Sequence, residues 1–437
     1  MPSKITGCIH YMTLSKITNI EAYEIIDNRA MPTIRTGVCV DRNHWGWADV
    51  PCGSSTGSFE AKEIRDGDPR YRGKGVRRAI ENITKRILPV LSGIPVADQR
   101  ALDDAMLGLD GTPDKSNLGA NAILGVSLAA AKAAAVTKGL PLYCHLNPAG
   151  KVLPVPQACL INGGLHAGNE LDIQEYCVMP VDAGSFARAV RMLSEIFMAL
   201  RDVLYTRLGP SAVNSSEDGG FAPPLTSSHQ AMEMLEAAVA QAGYTGKVLY
   251  GLDLAATGFY LPEKKQYMFE QETYTPNQFI AYLKSLVKDF PLIVSIEDPL
   301  MESDFEGFSR ITTEMPDTMI IGDDLFATNR KRIQQGVRQK AGNAILCKIN
   351  QIGTLTEAMD AAIFAREQGF SVVVSERSGE TEDSILADIS VALNTGLLKT
   401  GGMRGSDRGA KYNRLIEIER ELGKVARYAG REYPFPV

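Results

Sequence analysis

Cysteine is sparse and unpatterned in this 437-residue chain: seven residues, at 8, 39, 52, 144, 159, 177 and 347, with no CxxC pair. An odd, scattered set excludes a disulfide framework and reads as buried or free thiols in a reducing compartment. A basic stripe is also lacking. The net charge of −6 is spread along the chain, which excludes a nucleic-acid surface and makes anionic lipid a poor partner. The first residues, with Lys4, His10 and Lys16 among short apolar pieces, contain no signal-peptide core. The longest bland run, 120–131, stops at Lys132 and is too short to cross a bilayer. A cytoplasmic location is expected.

What is present is ordinary for a folded protein: 44% hydrophobic and 22% charged residues, 40 Gly and 22 Pro. That composition excludes disordered, collagen-like and coiled-coil chains. Length alone suggests two or three domains, and a barrel of about 250 residues brings the number to two.

The segment 17–49 alternates apolar and polar residues around a break at 27–32, which predicts strands over 20–26 and 34–40. An Ala-rich stretch over 121–138 predicts a buried helix. Strands followed by helices describe an α+β cap domain over 1–150, with Pro154 and Pro156 just past its end. Trp45 and Trp47, flanking Gly46, read as packing residues in a turn of that cap.

From 151 to 437 the rhythm changes. Apolar runs end in a charged residue, at Asp253, Glu297, Asp323, Lys348 and Glu376, separated by 44, 26, 25 and 28 positions. The longest interval holds a hairpin-like piece, 259–269, turning at 262–265. An eight-stranded α/β barrel has about 31 residues per unit, and its strand ends converge on the rim where active sites form. The fold class is therefore α/β: a C-terminal (β/α)8 barrel with an N-terminal α+β cap. The bland alternative is that such charges only mark where strands leave the core, but three carboxylates gathered at one rim repel unless a cation sits among them.

All-oxygen ligands with no Cys or His nearby suit a hard ion, Mg²⁺ before Zn²⁺. A lysine beside such a cluster and out of bulk water can lose its proton more easily and act as a general base. Base plus divalent metal suits proton abstraction next to a carboxylate, with the metal holding the enediolate.

The chain resembles enolase from end to end. The stretches LGANAILGVS (118–127), INGGLHAG (161–168), SIEDP (295–299), GDDL (322–325), KINQIGT (348–354) and RSGETED (377–383) resemble that family's motifs, in order. The resemblance implies that Asp253, Glu297 and Asp323 bind the catalytic Mg²⁺. Ser55, in the lid loop 52–57, would ligate a second Mg²⁺. It implies Lys348 as the base, Arg377 and Ser378 at the phosphoryl group, and Lys399 beside the substrate carboxylate. His166, Gln174 and Glu175 would line the pocket. The family reaction is dehydration of 2-phosphoglycerate to phosphoenolpyruvate, in a homo-oligomer that is commonly dimeric and sometimes octameric.

Two departures fall within the matched motifs. The family's GDEGG, which carries the proton-donor glutamate, reads SEDGG at 216–220, placing the shorter Asp218 at the donor position. Either that swap is tolerated, or Glu217 or Glu175 takes the role. Glu376 stands where the family has histidine, and a carboxylate beside a phosphoryl dianion must be protonated or paired with a cation such as Lys399 or Arg377. Phe59 replaces a loop histidine, and DNRAMPT (27–33) differs from the usual SRGNPT, a change expected to lie outside the site. These changes point to a phosphorylated or phosphonylated glycerate other than 2-phosphoglycerate. An enolase relative of phosphonate biosynthesis, carboxyphosphonoenolpyruvate synthase, performs that kind of step. Ordinary enolase activity and a catalytically silent binding or scaffold role are the alternatives.

A catalytic thiol has little support, since Cys347 should alternate away from the rim. His10, His44, His145 and His229 read as surface or locally satisfied residues. The acidic run 417–421 reads as a solvated helix face.

Overall fold

In the computed structural model, which describes residues 15–54, 57–433 and 435, the chain begins with three antiparallel strands: β1 (Ile17–Ile26), β2 (Pro32–Val40) and β3 (His44–Asp49). The β1–β2 turn is set by Asp27, whose Oδ1 accepts from the backbone N–H of Arg29 and of Met31 at 2.8 and 2.9 Å. Two helices pack behind: α1 (Gln99–Asp110), capped by Asp98, and the Ala-rich α2 (Ala120–Lys138). Small side chains let α2 lie directly on the sheet. At Gly46 a Cβ would stand 2.1 Å from the backbone nitrogen of Ala133, so only glycine fits. Trp45 and Trp47 belong to β3 and not to a turn; they face away from α2 and their rings stack at 5.2 Å. Although α2 is long and apolar enough to cross a membrane, 83% of its apolar window is buried in the fold.

The second part is a closed barrel of β4 (Val155–Asn162), β5 (Glu175–Met179), β6 (Leu249–Asp253), β7 (Ile293–Glu297), β8 (Met319–Gly322), β9 (Ala344–Cys347), β10 (Ser371–Ser375) and β11 (Leu397–Lys399). All five apolar runs singled out in the sequence are barrel strands, and 260–261 with 266–269 form the expected hairpin. The barrel is not uniformly parallel. β5 runs antiparallel to both β4 and β6. That reversal brings the start of β5, and so Glu175, to the rim where the other strands end.

A buried apolar plug containing Val155, Met179, Met319, Ile321, Leu346, Val373 and Leu397 fills the lower barrel. Barrel and cap are joined by buried polar contacts. Ser127 Oγ of α2 accepts from the Leu355 N–H at 3.0 Å, Asp103 of α1 accepts from the Thr356 N–H at 3.0 Å, and Lys132 pairs with Asp383 at 2.6 Å. The acidic run 417–421 is not simply solvated. Glu419 accepts from the first N–H groups of the helix α3 (Phe186–Leu208), those of Phe186 and Ala187, where orphan donors and the helix dipole favour a carboxylate.

Candidate active site

Strand register assembles the rim. Asn162 of β4 pairs with Glu175, Glu175 with Asp253, and Asp253 with Glu297, so four polar side chains stand side by side at one height. Lys399, at the end of β11, is paired with Ser375 and reaches across: its Nζ lies 2.7 Å from Asp253 Oδ2, 2.9 Å from Glu297 Oε2 and 3.2 Å from Glu175 Oε1. Asp323 and Lys348 follow β8 and β9, and their side chains form an ion pair. Gln351 also donates to Asp323 at 2.8 Å.

One cavity on this rim is lined by His166, Gln174, Glu175, Asp218, Asp253, Asp323, Lys348, Glu376, Arg377, Ser378 and Lys399. Of the described residues singled out in the sequence, two stand outside it: Glu297, which lies fully buried in the floor beside Asp253, and Glu217. Ser55 lies outside the described residues. A larger and more open cleft at the opposite barrel end, around Arg366, Arg427 and Tyr433, gathers no comparable set of acids and lysines.

Burial and charge divide the acids into two kinds. Burial pushes Glu297 and Glu175 up, Glu297 well above the carboxylate range, against the pull of Lys399. Burial also acts on Asp323 and Asp218, but Lys348 outweighs it at Asp323, and His166 outweighs it at Asp218, so both are held below the usual range. Lys348 departs from expectation. Burial would lower it, yet Asp323 at its side wins and holds its proton more tightly than usual.

The residues fit a divalent cation. Asp253, Glu297 and Asp323 offer only oxygen, the donor set that Mg²⁺ prefers. Glu297 Oε1 is buried without a hydrogen-bond partner, a cost that a bound cation removes.

His166 Nδ1 lies 2.7 Å from Asp218 Oδ2, which also accepts from Asn162 Nδ2 at 2.9 Å. His166 Nε2 is buried with no hydrogen-bond partner. Glu217, exposed, instead accepts from the Ser54 hydroxyl at 2.9 Å and lines a separate cleft beside the cap loop. It does not replace Asp218.

The Arg377–Ser378 end of the site departs from the sequence reading in three ways. Arg377 makes a two-point ion pair with Glu60, at 2.8 and 3.0 Å, and donates to Asn350 Oδ1 at 2.9 Å. Glu376 pairs with neither Lys399 nor Arg377; its Oε1 is 3.5 Å from Nε of Arg408. The 27–33 turn, expected outside the site, reaches into it. Asn28 Nδ2 donates to the Ser378 carbonyl at 3.2 Å, and Arg29 Nη1 lies 2.5 Å from Ser54 Oγ and 3.4 Å from Ser378 Oγ. Phe59 stacks its ring 3.5 Å from the Arg332 guanidinium, and its neighbour Ser58 donates to Glu302 at 3.1 Å. Glu60, Asn162 and Arg408 were not found by sequence reasoning. Position gave a signal for two of them, Asn162 inside the 161–168 motif and Glu60 just past the 52–57 loop; Arg408 lies 25 positions past the last matched motif and had none.

Cys347 points outward to the Ala358 carbonyl, and burial pushes its thiol up to about 12. Thiolate chemistry at neutral pH is excluded there.

An α+β cap on a barrel whose rim gathers oxygen ligands and two lysines defines a metal-dependent carbon–oxygen lyase. Residues 17–146 match the model of the enolase N-terminal domain, and 150–436 that of the enolase C-terminal TIM barrel domain. The chain is 51% identical over 422 residues to the enolase of Methanocaldococcus jannaschii, covering 96% of this chain and 99% of the relative. It is 50% identical over 425 residues to that of Thermococcus kodakarensis, covering 96% and 98%. The Pyrococcus furiosus enolase is 49% identical over 422 residues, again covering 96% and 98%. The chain belongs to the enolase family.

Proposed function

We propose that this chain dehydrates 2-phosphoglycerate to phosphoenolpyruvate. The observation that carries this reading is the convergence of Lys348 with Asp253, Glu297 and Asp323 on one rim, in the same cavity as His166, Asp218 and Glu175. Near-full-length similarity to proteins named enolase supports 2-phosphoglycerate over the analogue suggested by the two departures.

In this reading Lys348 Nζ takes the proton next to the substrate carboxylate. Asp253, Glu297 and Asp323 would hold a Mg²⁺ ion, which when bound would supply positive charge to the substrate carboxylate and offset the Asp323 carboxylate that holds the Lys348 proton. Lys399 presents its ammonium to the same carboxylate end, and Arg377 with Ser378 holds the phosphoryl group. On the leaving-hydroxyl side the two acids differ: burial pushes Glu175 up against the pull of Lys399, whereas His166, with Arg408 and Lys399, draws Asp218 down. In this reading Glu175, the acid that holds a proton more readily, is the proton donor, and Asp218 orients His166.

The test is absorbance at 240 nm with 2-phosphoglycerate and Mg²⁺, for the wild type and Lys348→Ala. A steady rate lost on substitution supports the reading. Absence of turnover by a chain that binds Mg²⁺ overturns it.

One observation favours a second reading. Glu376 stands at the phosphoryl end and Arg377 is already engaged by Glu60, an environment suited to a larger or less charged group than a phosphoryl dianion. Turnover of a phosphonoformyl-glycerate in place of 2-phosphoglycerate would establish it.

A further inference from the structure

The two departures from the family pattern, Asp218 and Glu376, are 158 positions apart in sequence, yet one cation faces both. Arg408, in the first turn of α4 (Ser406–Leu422), is 2% exposed. Its Nε is 3.5 Å from Glu376 Oε1, and its Nη2 is 3.7 Å from Asp218 Oδ1 and donates to the Ser378 carbonyl at 3.3 Å. Asp407 holds Nη1. The Nε atom is buried without a hydrogen-bond partner. Arg408 thus acts on Glu376 through charge at close range rather than through a tight hydrogen bond.

The backbone is shaped around this meeting. Gly401 has φ +71, and a Cβ there would stand 2.3 Å from Glu376 Oε1, 2.8 Å from the Asp218 carbonyl oxygen and 2.9 Å from Arg408 Nε. No side chain fits where the three groups close in. The next N–H, of Gly402, donates to the Asp218 carbonyl at 2.7 Å, and Thr400 Oγ1 reaches Glu376 Oε2 at 3.4 Å.

We infer that Arg408 is a positioning residue that couples Glu376 at the phosphoryl end to Asp218 at the leaving-group end, so that the two acids work as one electrostatic unit. A buried guanidinium divides its charge among the carboxylates around it, here Asp407, Glu376 and Asp218. When Glu376 carries its proton, a larger share acts on Asp218 and holds it ionised for His166; when Glu376 ionises, that share falls. Asp218 is faced by His166, Arg408 and Lys399, and Glu376 by Arg408, Glu380, Lys411 and Asp218. Lys411 is itself bonded to Glu380 and to the Thr381 carbonyl, which leaves Arg408 as the main cation acting on Glu376.

The inference rests on the dehydration reading for its kinetic readout, and its test has a second readout that does not. The chains compared are the wild type, Glu376→Gln, Arg408→Lys and the double variant. If the residues are coupled, the effects on kcat/KM depart from multiplicativity by at least about threefold. Multiplicative effects overturn the inference. Arg408→Met, if it folds with a normal circular dichroism spectrum, should also shift the pH dependence of kcat/KM to higher pH by about half a unit or more. Loss of the guanidinium makes both acids harder to ionise. A folded Arg408→Met chain with a slower rate and an unmoved profile would assign Arg408 a merely structural role. Should the wild type fail to turn over 2-phosphoglycerate, the same four chains are compared by urea midpoint at pH 6 and pH 9. Non-additive midpoints that change with pH sustain the coupling, and additive ones end it, whatever becomes of the substrate reading.

Discussion

Glu60, in the cap loop that follows β3, and Arg377, two residues past β10, form a two-point buried ion pair at 2.8 and 3.0 Å. The pair ties the cap to the Arg377–Ser378 end of the rim. Removing one partner of a buried pair leaves a desolvated charge, at a cost of about 3–5 kcal/mol. Glu60→Ala is therefore expected to lower the unfolding free energy in urea by about that amount. A loss below about 1 kcal/mol would show that Asn350 and water compensate Arg377 without Glu60.

The Arg29 guanidinium, beside Ser54 and Ser378, gives the 27–33 turn a functional consequence. Arg29→Ala should loosen the Ser378 hydroxyl while leaving Lys348 and the acids in place. The expected result is a KM about tenfold higher with kcat within about threefold, the pattern of lost ground-state binding. An equal fall in kcat would place Arg29 in the chemistry instead.

The His166–Asp218 pair carries a pH signature with two limbs. Burial and Asp218 act oppositely on His166, and Asp218 prevails, so its folded value lies above the ordinary 6.5. Its contribution to stability is complete below 6.5 and is lost as pH rises through the folded value. Asp218 is depressed below 3.8, so its contribution is complete above 3.8 and is lost as pH falls through the folded value. Thermal midpoints of Asp218→Asn should vary less with pH on both sides of that window. Its kcat should fall by about a hundredfold or more. Midpoints that run parallel to those of the wild type would show that the pair does not carry the pH dependence.

Glu376 behaves oppositely. Burial, only partly offset by Arg408, raises it from 4.5 to about 8. Its stabilising contribution belongs to the protonated form, complete below pH 4.5 and lost as pH rises through 8. Between pH 6 and pH 9 the wild type should lose more thermal stability than Glu376→Gln, and equal losses would show that Glu376 is already ionised at pH 6.

Divalent cation should stabilise the fold through the acids on the rim. Mg²⁺ at about a hundred times its dissociation constant should add about 2.7 kcal/mol for one site. The gain should vanish in Glu297→Gln, measured as the change in urea midpoint on adding Mg²⁺ or chelator. A gain unchanged in that variant would move the ion elsewhere.

Much of this protein was legible in its sequence. Parallel barrel strands are buried on both faces, so they read as apolar runs, and the charged residue ending each run marks the rim; hence Asp253, Glu297, Asp323, Lys348 and Glu376 were visible as a set. The α2 helix was visible because an Ala-rich stretch of that length has few other uses. The reversed direction of β5 was not visible, because an antiparallel strand buried on both faces has the same apolar composition as a parallel one. Trp45 and Trp47 were misplaced in a turn because Gly46 resembles a turn glycine; its actual cause, the backbone of α2 at Ala133 pressed against β3, is a contact made 87 positions later in the chain.

The sequence by itself determined the fold class and most of the site residues, because hydrophobic periodicity and motif spacing are local properties of the chain. Only the tertiary structure decided which charges meet. That Glu60 engages Arg377, that Arg29 reaches Ser378, and that Arg408 stands between Glu376 and Asp218 are pairings between distant segments. Their strength comes from exclusion of water, and no stretch of sequence contains that until the cap has closed on the barrel.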